Sequence, residues 1–324
     1  MATTPSLGAA IIVKNAEFSI LRALSSLEGF VQQIVVVDTG STDQTPQICT
    51  RVGVELHFLQ WTDNFSEARN YALERMRTDW IIQVDADEEL DGDSLSNISH
   101  LFNNPNTGGL HTQIWNVLDG GIESEHRYTR IFRRNPKIRY EGAIHEQIAG
   151  SIRLSGFEII DSPVVIRHFG YSEHSPEKIE RNTTLLHKEL TDNPNDNWLR
   201  YHLGLTEFAA GNHHEAESLL ETIVNSSELS IEQNETARLR LAQIALAAGN
   251  SDIAKSWLMF SSTDLHREGL RLFVLGAVHA VQNEFQQAID CFSQETASNS
   301  RLVNQLELQS FIAGISSFLV RGTL

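Results

Sequence analysis

Short apolar runs alternate with segments of helical periodicity in the first part of the chain. Residues 8–15, 33–38, 54–61 and 79–85 are predicted strands, rich in β-branched and aromatic side chains. Helices are predicted between them. The first has Leu21, Leu24 and Leu27 on one side, the second begins near Thr42 or Asp43, and Ser66 is placed to cap the third, at 67–77. This βαβαβ order predicts an α/β domain with a mainly parallel sheet.

The pattern changes along the rest of the chain. A helix is predicted near 94–102, and strand patterns at 109–117, 127–133 and 164–169 are expected to complete a mixed sheet. Strand signals end at about Ser175, and Ala/Leu/Glu/Gln-rich helical periodicity continues from there to the last residue. We therefore predict an α/β domain at 1–174 and an all-α domain at 175–324.

The predicted helical domain contains three related segments. Each has a Leu-small pair in mid-helix, then a Gly or Asn at a turn, then an Ala. Stacked helical hairpins need small residues where helices touch and permissive residues where they turn. The segments resemble tetratricopeptide repeats, although the intervals are unequal and most aromatic markers are missing. Their members are Leu203, Gly204, Gly211 and Ala216; Leu241, Ala242, Gly249 and Ala254; and Leu275, Gly276, Asn283 and Ala288.

Composition narrows the functional class. The formal charge of −17 argues against a protein that coats nucleic acid, because phosphate binding needs clustered Lys and Arg. Cys49 and Cys291 lack the spacing of a zinc site or a disulfide framework. No run approaches the roughly 20 apolar residues of a membrane span, and no signal peptide is evident. We expect a cytoplasmic protein, and peripheral membrane contact stays open.

Polar residues follow several predicted strands at their carboxyl ends, where an open parallel sheet binds ligands. We expect Asn15, Asp38, Asp85 and Asp87 to gather there. If strand geometry continues, Asp85 and Asp87 point to the same face and offer hard oxygen ligands for Mg²⁺ or Mn²⁺. Two surface carboxylates at a strand end are the alternative.

Asp38 stands before a Thr-Gly-Ser-Thr-Asp43 turn. Its carboxylate can accept hydrogen bonds from a base imide or from ribose hydroxyls, and Gly40 permits a close backbone approach. Capping of a turn is the alternative for Asp38, and for Asp43 helix capping is preferred.

Four motifs in order resemble the inverting glycosyltransferases of family 2. The closest resemblance is to the lipopolysaccharide-core β-glucosyltransferase-like branch, which includes members with tetratricopeptide repeats. The resemblance covers about residues 7–172. The motifs are Ile12-Val-Lys-Asn15, Val36-Val-Asp-Thr-Gly-Ser-Thr-Asp43, Trp61-Thr-Asp-Asn-Phe-Ser-Glu-Ala-Arg-Asn70 and Val84-Asp-Ala-Asp-Glu-Glu89.

The resemblance implies a GT-A fold that binds a nucleoside-diphosphate sugar, usually a UDP-sugar, and transfers its hexose with inversion to an acceptor hydroxyl. The metal would stabilise charge on the leaving diphosphate. The implied donor and metal residues are Val13 and Asn15 in the nucleotide pocket, Asp38 on uracil or ribose, Arg69 near the base or diphosphate, Asp85 at the ribose and metal, and Asp87 as the principal metal ligand.

An inverting transfer also needs a general base, usually a carboxylate. Tyr140-Glu-Gly-Ala-Ile-His-Glu146 resembles the family's acceptor-side Gly-x-x-His-Glu element, which favours Glu146; His145, Glu88 and Glu89 are the rivals. Alternatively, Glu146 only holds an arginine such as Arg130 or Arg133. His168 is a candidate third metal ligand or a structural histidine. Arg130 and His145 are candidate acceptor contacts.

Two other functional classes stay open. A sugar-phosphate nucleotidyltransferase can share the topology, but it normally has a Gly-rich basic loop after the first strand, which Lys14-Asn-Ala-Glu17 does not provide. A non-catalytic scaffold would not need Asp38, Asp85, Asp87 and Glu146 together. The acceptor can be a saccharide, a glycolipid or a peptide. The repeats can bind that acceptor, a partner protein or a second protomer.

Overall fold

The structure is a computed structural model that describes residues 5–95, 98–118, 121–169 and 176–298. The chain divides into two compact units, Met1–Ser172 and Glu173–Leu324. The boundary expected at 174/175 falls within 170–175, outside the described residues.

The first unit is built on an eight-stranded mixed sheet, in the order β3-β2-β1-β4-β7-β6-β8-β5. Strands β3, β2, β1 and β4 run parallel; β7 is antiparallel to β4 and β6, and β5 is antiparallel to β8. The predicted α/β mixed sheet is thereby confirmed. The strands are β1 (Leu7–Val13), β2 (Gln33–Asp38), β3 (Glu55–Phe58), β4 (Trp80–Gln83), β5 (Glu88–Leu90), β6 (Thr107–Leu118), β7 (Gly121–Arg133) and β8 (Glu158–His168).

Helices cover both faces of this sheet and bury its alternating side chains. Ile11 and Val36 face the layer that contains α1, and Val35 and Val37 face the layer that contains α3. A sheet buried on both faces explains why β2 reads as an unbroken apolar run. The helices of this unit are α1 (Ile20–Leu27), α2 (Thr45–Val52), α3 (Phe65–Leu73), α4 (Ser99–Phe102) and α5 (Ala149–Leu154).

Three local predictions were wrong. Leu21 is 53% exposed, because α1 buries Ile20, Leu24 and Leu27 instead. The third helix begins at Phe65, where the side chain of Asn64 accepts a hydrogen bond from the backbone of Glu67. The expected helix at 94–102 is a 3-10 turn at Gly92–Leu95 followed by the single turn of α4.

The described part of the second unit is helical and forms hairpins. Gly211, Gly249 and Asn283 all have positive φ, between 61° and 82°, at three helix turns. A Cβ on Gly204 would lie 2.7 Å from Leu220, so the small residue is required by close packing of α7 against α8. A tetratricopeptide-like repeat remains a prediction. The helices are α6 (Pro176–Asp192), α7 (Asn197–Ala209), α8 (His213–Ile223), α9 (Ile231–Ala247), α10 (Ser251–Trp257), α11 (Leu265–Val281) and α12 (Phe285–Ser298).

Within the described residues, no helix has the length and apolar character needed to cross a bilayer.

Candidate functional site

The candidate site lies where the parallel strands end. Val13, the last residue of β1, pairs with Asp38, the last residue of β2, and β4 ends beside β1 at Gln83. The chain passes from β1 to β2 on one side of β1 and returns to β4 on the other. This is a topological switch point, where open α/β sheets form their ligand crevice. The Val13 side chain itself is buried in the core, so only its backbone borders this edge.

The loop after β2 holds Asp38 firmly by one oxygen. Asp38 Oδ1 accepts hydrogen bonds from the backbone of Gly40 at 2.8 Å and of Ser41 at 2.7 Å. Gly40 has a φ of 109°, which favours glycine. The other oxygen, Oδ2, is buried and accepts no hydrogen bond from the described residues. A buried carboxylate oxygen needs a donor, so this atom is suited to accept one from a ligand.

Asn15 supports this loop from β1. Its side-chain Oδ1 accepts a hydrogen bond from the backbone N–H of Thr42 at 2.8 Å. Its backbone N–H donates to Ser41 Oγ at 2.9 Å. Its φ is 51°, a conformation that Asn tolerates better than most residues. Asn15 therefore shapes the loop that carries Asp38.

The Asp-Ala-Asp segment is a turn, so the strand geometry on which a shared face for Asp85 and Asp87 depended does not continue. Strand β4 ends at Gln83, and the backbone of Glu88 donates to the carbonyl of Asp85 at 3.1 Å. The side chain of Glu88 accepts in return from the backbone of Asp85 at 2.8 Å. These two bonds turn Asp85 toward one set of partners and Asp87 toward another.

Asp85 lies between two arginines. Its Oδ1 accepts from Arg69 Nη2 at 3.1 Å and from Gln83 Nε2 at 2.8 Å, and its Oδ2 is 3.4 Å from Arg130. Burial alone would raise the pKa of Asp85, but the charges of Arg69 and Arg130 outweigh it and hold the pKa below its usual range. Both oxygens of this ionised carboxylate have partners among the described residues, and a direct metal contact by Asp85 stays a prediction.

Glu88 supports the turn from inside. It is 2% exposed, and it accepts from Arg130 at 2.8 Å as well as from the backbone of Asp85. Burial, with the neighbouring charge of Asp85, raises the pKa of Glu88 to about 7 against the opposing effect of Arg130. An acceptor hydroxyl cannot reach so buried a group, which argues against Glu88 as the base.

Asp87 faces His168. Asp87 Oδ2 is 3.4 Å from His168 Nε2, and both side chains are partly exposed. Burial would lower the pKa of His168, but the hydrogen bond and charge of Asp87 outweigh it and raise the pKa. The described residues contain no group of three or more His, Cys, Asp or Glu arranged to hold a metal. Mg²⁺ is commonly bound by one or two side chains plus substrate phosphates and water, and Asp87 with His168 fits such a site.

Glu146 is joined to Arg69, not to Arg130 or Arg133. Arg69 Nε donates to Glu146 Oε1, so Arg69 links Glu146 to Asp85. Helix α3 carries Arg69 and is fastened to the 140–146 segment, because Asn70 and Tyr140 exchange two hydrogen bonds of 2.9 Å and Ser66 Oγ donates to Gly142 at 2.6 Å. The Trp61–Asn70 motif thus positions Glu146 beside the strand ends. His145, next to it, has a φ of 52°.

The two candidate acceptor-side arginines have structural partners. Arg130 is 14% exposed and binds Gln83, Asp85 and Glu88, so its guanidinium supports the Asp-Ala-Asp turn. The guanidinium of Arg133 donates to backbone carbonyls, including that of Thr107, and stacks over Trp80 at 4.7 Å.

Sequence reasoning missed His126. It lies on β7, where His126 and Tyr128 share one face and their ring centroids are 5.1 Å apart. Burial and the positive charges of Arg130 and His168 lower the pKa of His126 to about 4, which places this ring beside the site in its neutral form. Its alternation with Tyr128 and Arg130 was the available signal.

Residues 9–167 match the family model described as glycosyl transferase family 2. A TPR repeat-containing protein of Synechococcus elongatus is 32% identical over 203 residues, which are 60% of this chain and 50% of that protein. The SPbeta prophage-derived glycosyltransferase SunS of Bacillus subtilis is 29% identical over 205 residues, which are 60% of this chain and 48% of that protein.

A solved mannosyltransferase from Pyrobaculum calidifontis, in complex with GDP-Man and Mn²⁺, is 18% identical with a TM-score of 0.46 and 88% of both chains covered, too distant to support an inference. The chain spans about half the length of the curated relatives it matches. Residues 9–167, which include most of the mixed sheet that carries the candidate site, are therefore similar to glycosyl transferase family 2.

Proposed function

We propose that this protein is a metal-dependent inverting glycosyltransferase that moves a hexose from a nucleoside-diphosphate sugar, with UDP as the expected nucleotide, to an acceptor hydroxyl. The family 2 match supports the class of reaction. The observation that carries the donor assignment is the buried Oδ2 of Asp38 at the end of β2, which accepts no hydrogen bond from the part of the chain that the structure describes.

On the donor side, Asp38 Oδ2 would accept a hydrogen bond from the base imide or a ribose hydroxyl. The loop that holds Asp38 is rigid because Asn15 and the amides of Gly40 and Ser41 fix it. Arg69 has a buried Nη1 that donates to none of the described residues, and it would complete its hydrogen bonds with the nucleotide or diphosphate. The backbone at Val13 would border the pocket.

On the metal side, Asp87 and His168 would hold Mn²⁺ or Mg²⁺ together with diphosphate oxygens. The cation, when bound, supplies positive charge for the leaving diphosphate. Asp85 would act one step away, as an anion that keeps Arg69 and Arg130 in place.

For the base we propose Glu146. Its side chain is partly accessible, whereas Glu88 is 2% exposed and Glu89 is paired with Arg22. The ion pair with Arg69 holds Glu146 beside the strand ends, and a carboxylate in that place can accept the proton of an attacking hydroxyl. As that hydroxyl attacks the anomeric carbon, the bond to the diphosphate breaks and the configuration inverts. His145 and the β7 face with His126 are the candidate acceptor contacts.

The helical unit would serve recognition. Its hairpins support a tetratricopeptide-like array, and one relative carries that repeat in its name. Such arrays present a concave surface to a partner. We favour a saccharide or glycolipid over a peptide as the acceptor. With such an acceptor, the array would bind a partner protein or a second protomer.

Donor hydrolysis tests the proposal. The protein is incubated with Mn²⁺ and UDP-, GDP- or dTDP-hexoses, and nucleotide release is measured. We expect slow release from one donor, abolished by EDTA, and a sugar released with inverted configuration by NMR. Absence of release and of binding with every donor would refute the enzyme assignment.

A further inference from the structure

Asn116 on β6 lies directly beside His168. The two residues are register partners in the parallel β6–β8 pair, and Asn116 is 2% exposed. Asn116 Oδ1 lies 2.9 Å from His168 Nδ1. The β6–β7 ladder shifts register just beyond Asn116, between Asn116 and Val117.

This contact sets which ring nitrogen of His168 carries the proton. An amide oxygen only accepts hydrogen bonds, so Nδ1 must be the protonated nitrogen of the neutral ring. The lone pair of Nε2 then faces Asp87 Oδ2 at 3.4 Å. A lone pair and a carboxylate oxygen repel each other unless a proton on Nε2, as in the imidazolium, or a cation lies between them. The arrangement is therefore suited to a cation shared by Nε2 and Oδ2.

The backbone around this pair is already fixed. His168 pairs with Glu88 of β5 on one side and with Asn116 on the other. The amide of Phe169 donates to the carbonyl of Asp87 at 3.0 Å, which ties the two candidate ligands together. The remaining freedom is rotation of the imidazole, and Asn116 opposes it.

We propose that Asn116 is a positioning residue that fixes the tautomer and orientation of His168 so that Nε2 and Asp87 bind one divalent cation. This inference rests on the proposed metal-dependent function. Groups that orient a metal-binding histidine through its other nitrogen typically contribute about 10- to 100-fold to metal affinity.

The test measures Mn²⁺ affinity by the EPR signal of free Mn²⁺, with and without UDP, on the full chain. Asn116→Leu removes the acceptor and is expected to weaken binding about 10- to 100-fold. Asn116→Asp keeps an acceptor and is expected to bind at least as tightly as wild type. Thr112→Val is the matched control, because Thr112 is a buried polar residue of β6 whose Oγ1 donates to Tyr128, and it should leave the affinity unchanged.

A second background separates positioning from general damage. In His168→Ala, Asn116→Leu should weaken Mn²⁺ binding no further; an equal loss in both backgrounds would overturn the proposal. Equal affinities for Asn116→Leu and Thr112→Val would overturn it as well.

The tautomer is read independently by long-range ¹H–¹⁵N NMR of the wild-type His168 ring. A proton on Nδ1 is expected, and a neutral ring protonated on Nε2 would overturn the inference without any variant. If wild type binds no Mn²⁺ with or without UDP, the metal-dependent function and this inference both fail. If only the Asn116 results disagree, the inference alone fails.

Discussion

Asp85 and Asp87 are two positions apart in the sequence and contact different side chains. Asp85 is held by Arg69 at 3.1 Å and by Arg130 at 3.4 Å, whereas Asp87 lies 3.4 Å from His168. The turn stabilised by Glu88 separates them. The two carboxylates of the motif therefore have different surroundings: Asp85 pairs with the arginines, and Asp87 is the one that we propose to hold a cation.

Asp38→Asn is expected to weaken nucleotide binding about 10- to 100-fold, because a hydrogen bond to a charged group contributes roughly 1.5–3 kcal/mol. The loop should survive, since Asn keeps the oxygen that accepts from Gly40 and Ser41. The loss should be equal in Mn²⁺ and in EDTA, because Asp38 acts on the nucleoside. Calorimetry with UDP checks this, and unchanged affinity would remove Asp38 from the donor site.

Glu146→Gln is expected to lower transfer by about 10²- to 10⁴-fold, the usual contribution of a general base. The amide keeps an oxygen for Arg69, so nucleotide affinity and melting temperature should stay close to wild type. Steady-state rates measured beside calorimetry separate the two effects. A variant with full transfer rate would leave Glu146 as a partner of Arg69 only.

Arg69→Met is expected to destabilise the first unit by about 3–5 kcal/mol, because it leaves Glu146 without its cation and Asp85 with Arg130 alone. Adding Glu146→Gln to Arg69→Met should restore part of that loss by removing one of the two charges. Urea unfolding of the two variants measures both effects. A loss below about 1 kcal/mol, the range of surface pairs, would contradict the buried linkage.

His126 predicts a loss of stability in acid. Its pKa is lowered from 6.5 to about 4, so the unfolded chain takes up a proton at a higher pH than the folded protein does. The contribution of His126 to the free energy of unfolding is complete above pH 6.5. It decreases as the pH falls toward 4, by up to about 1.4 kcal/mol per pH unit.

His126→Gln should remove this slope. Glu88, whose pKa is raised to about 7, has the opposite effect on stability. Its contribution to the free energy of unfolding is lost as the pH rises from 4.5 to 7. The difference between wild type and His126→Gln in urea unfolding at several pH values isolates His126. Parallel curves would show that the ring is not buried in its neutral form.

Local pattern was sufficient for the strands except β5 (Glu88–Leu90), a short strand in a carboxylate-rich segment that the sequence did not indicate. The unbroken run at 33–38 is β2, and the polar groups after β2 and β4 lie at one edge of the sheet because parallel strands align their carboxyl ends. The residue that caps α3 could not be predicted from local pattern, since Asn64 and Ser66 are both residue types that cap helices well. Ser66 instead donates to Gly142, 76 residues away, and only tertiary structure shows that contact.

Local sequence pattern also could not predict which side chains of the site pair with one another. Nothing near Asp85 in sequence indicates that Arg69 and Arg130 would occupy its oxygens, because those arginines come from α3 and β7. The same applies to Asn116 and His168, which meet through a strand pair. The sequence motifs identified the residues of the site, and contacts between distant segments of the chain determine which of them pair.

Calorimetric titration of UDP, GDP and dTDP tests the central claim, in Mn²⁺ and in EDTA, on wild type, Asp87→Ala and the exposed-carboxylate control Asp93→Ala. We expect one nucleotide to bind wild type and Asp93→Ala with strong dependence on Mn²⁺, and Asp87→Ala to lose that dependence. Binding that is equal in Mn²⁺ and EDTA, or unchanged by Asp87→Ala, would contradict a metal site at Asp87. No binding of any nucleotide would contradict the glycosyltransferase assignment itself.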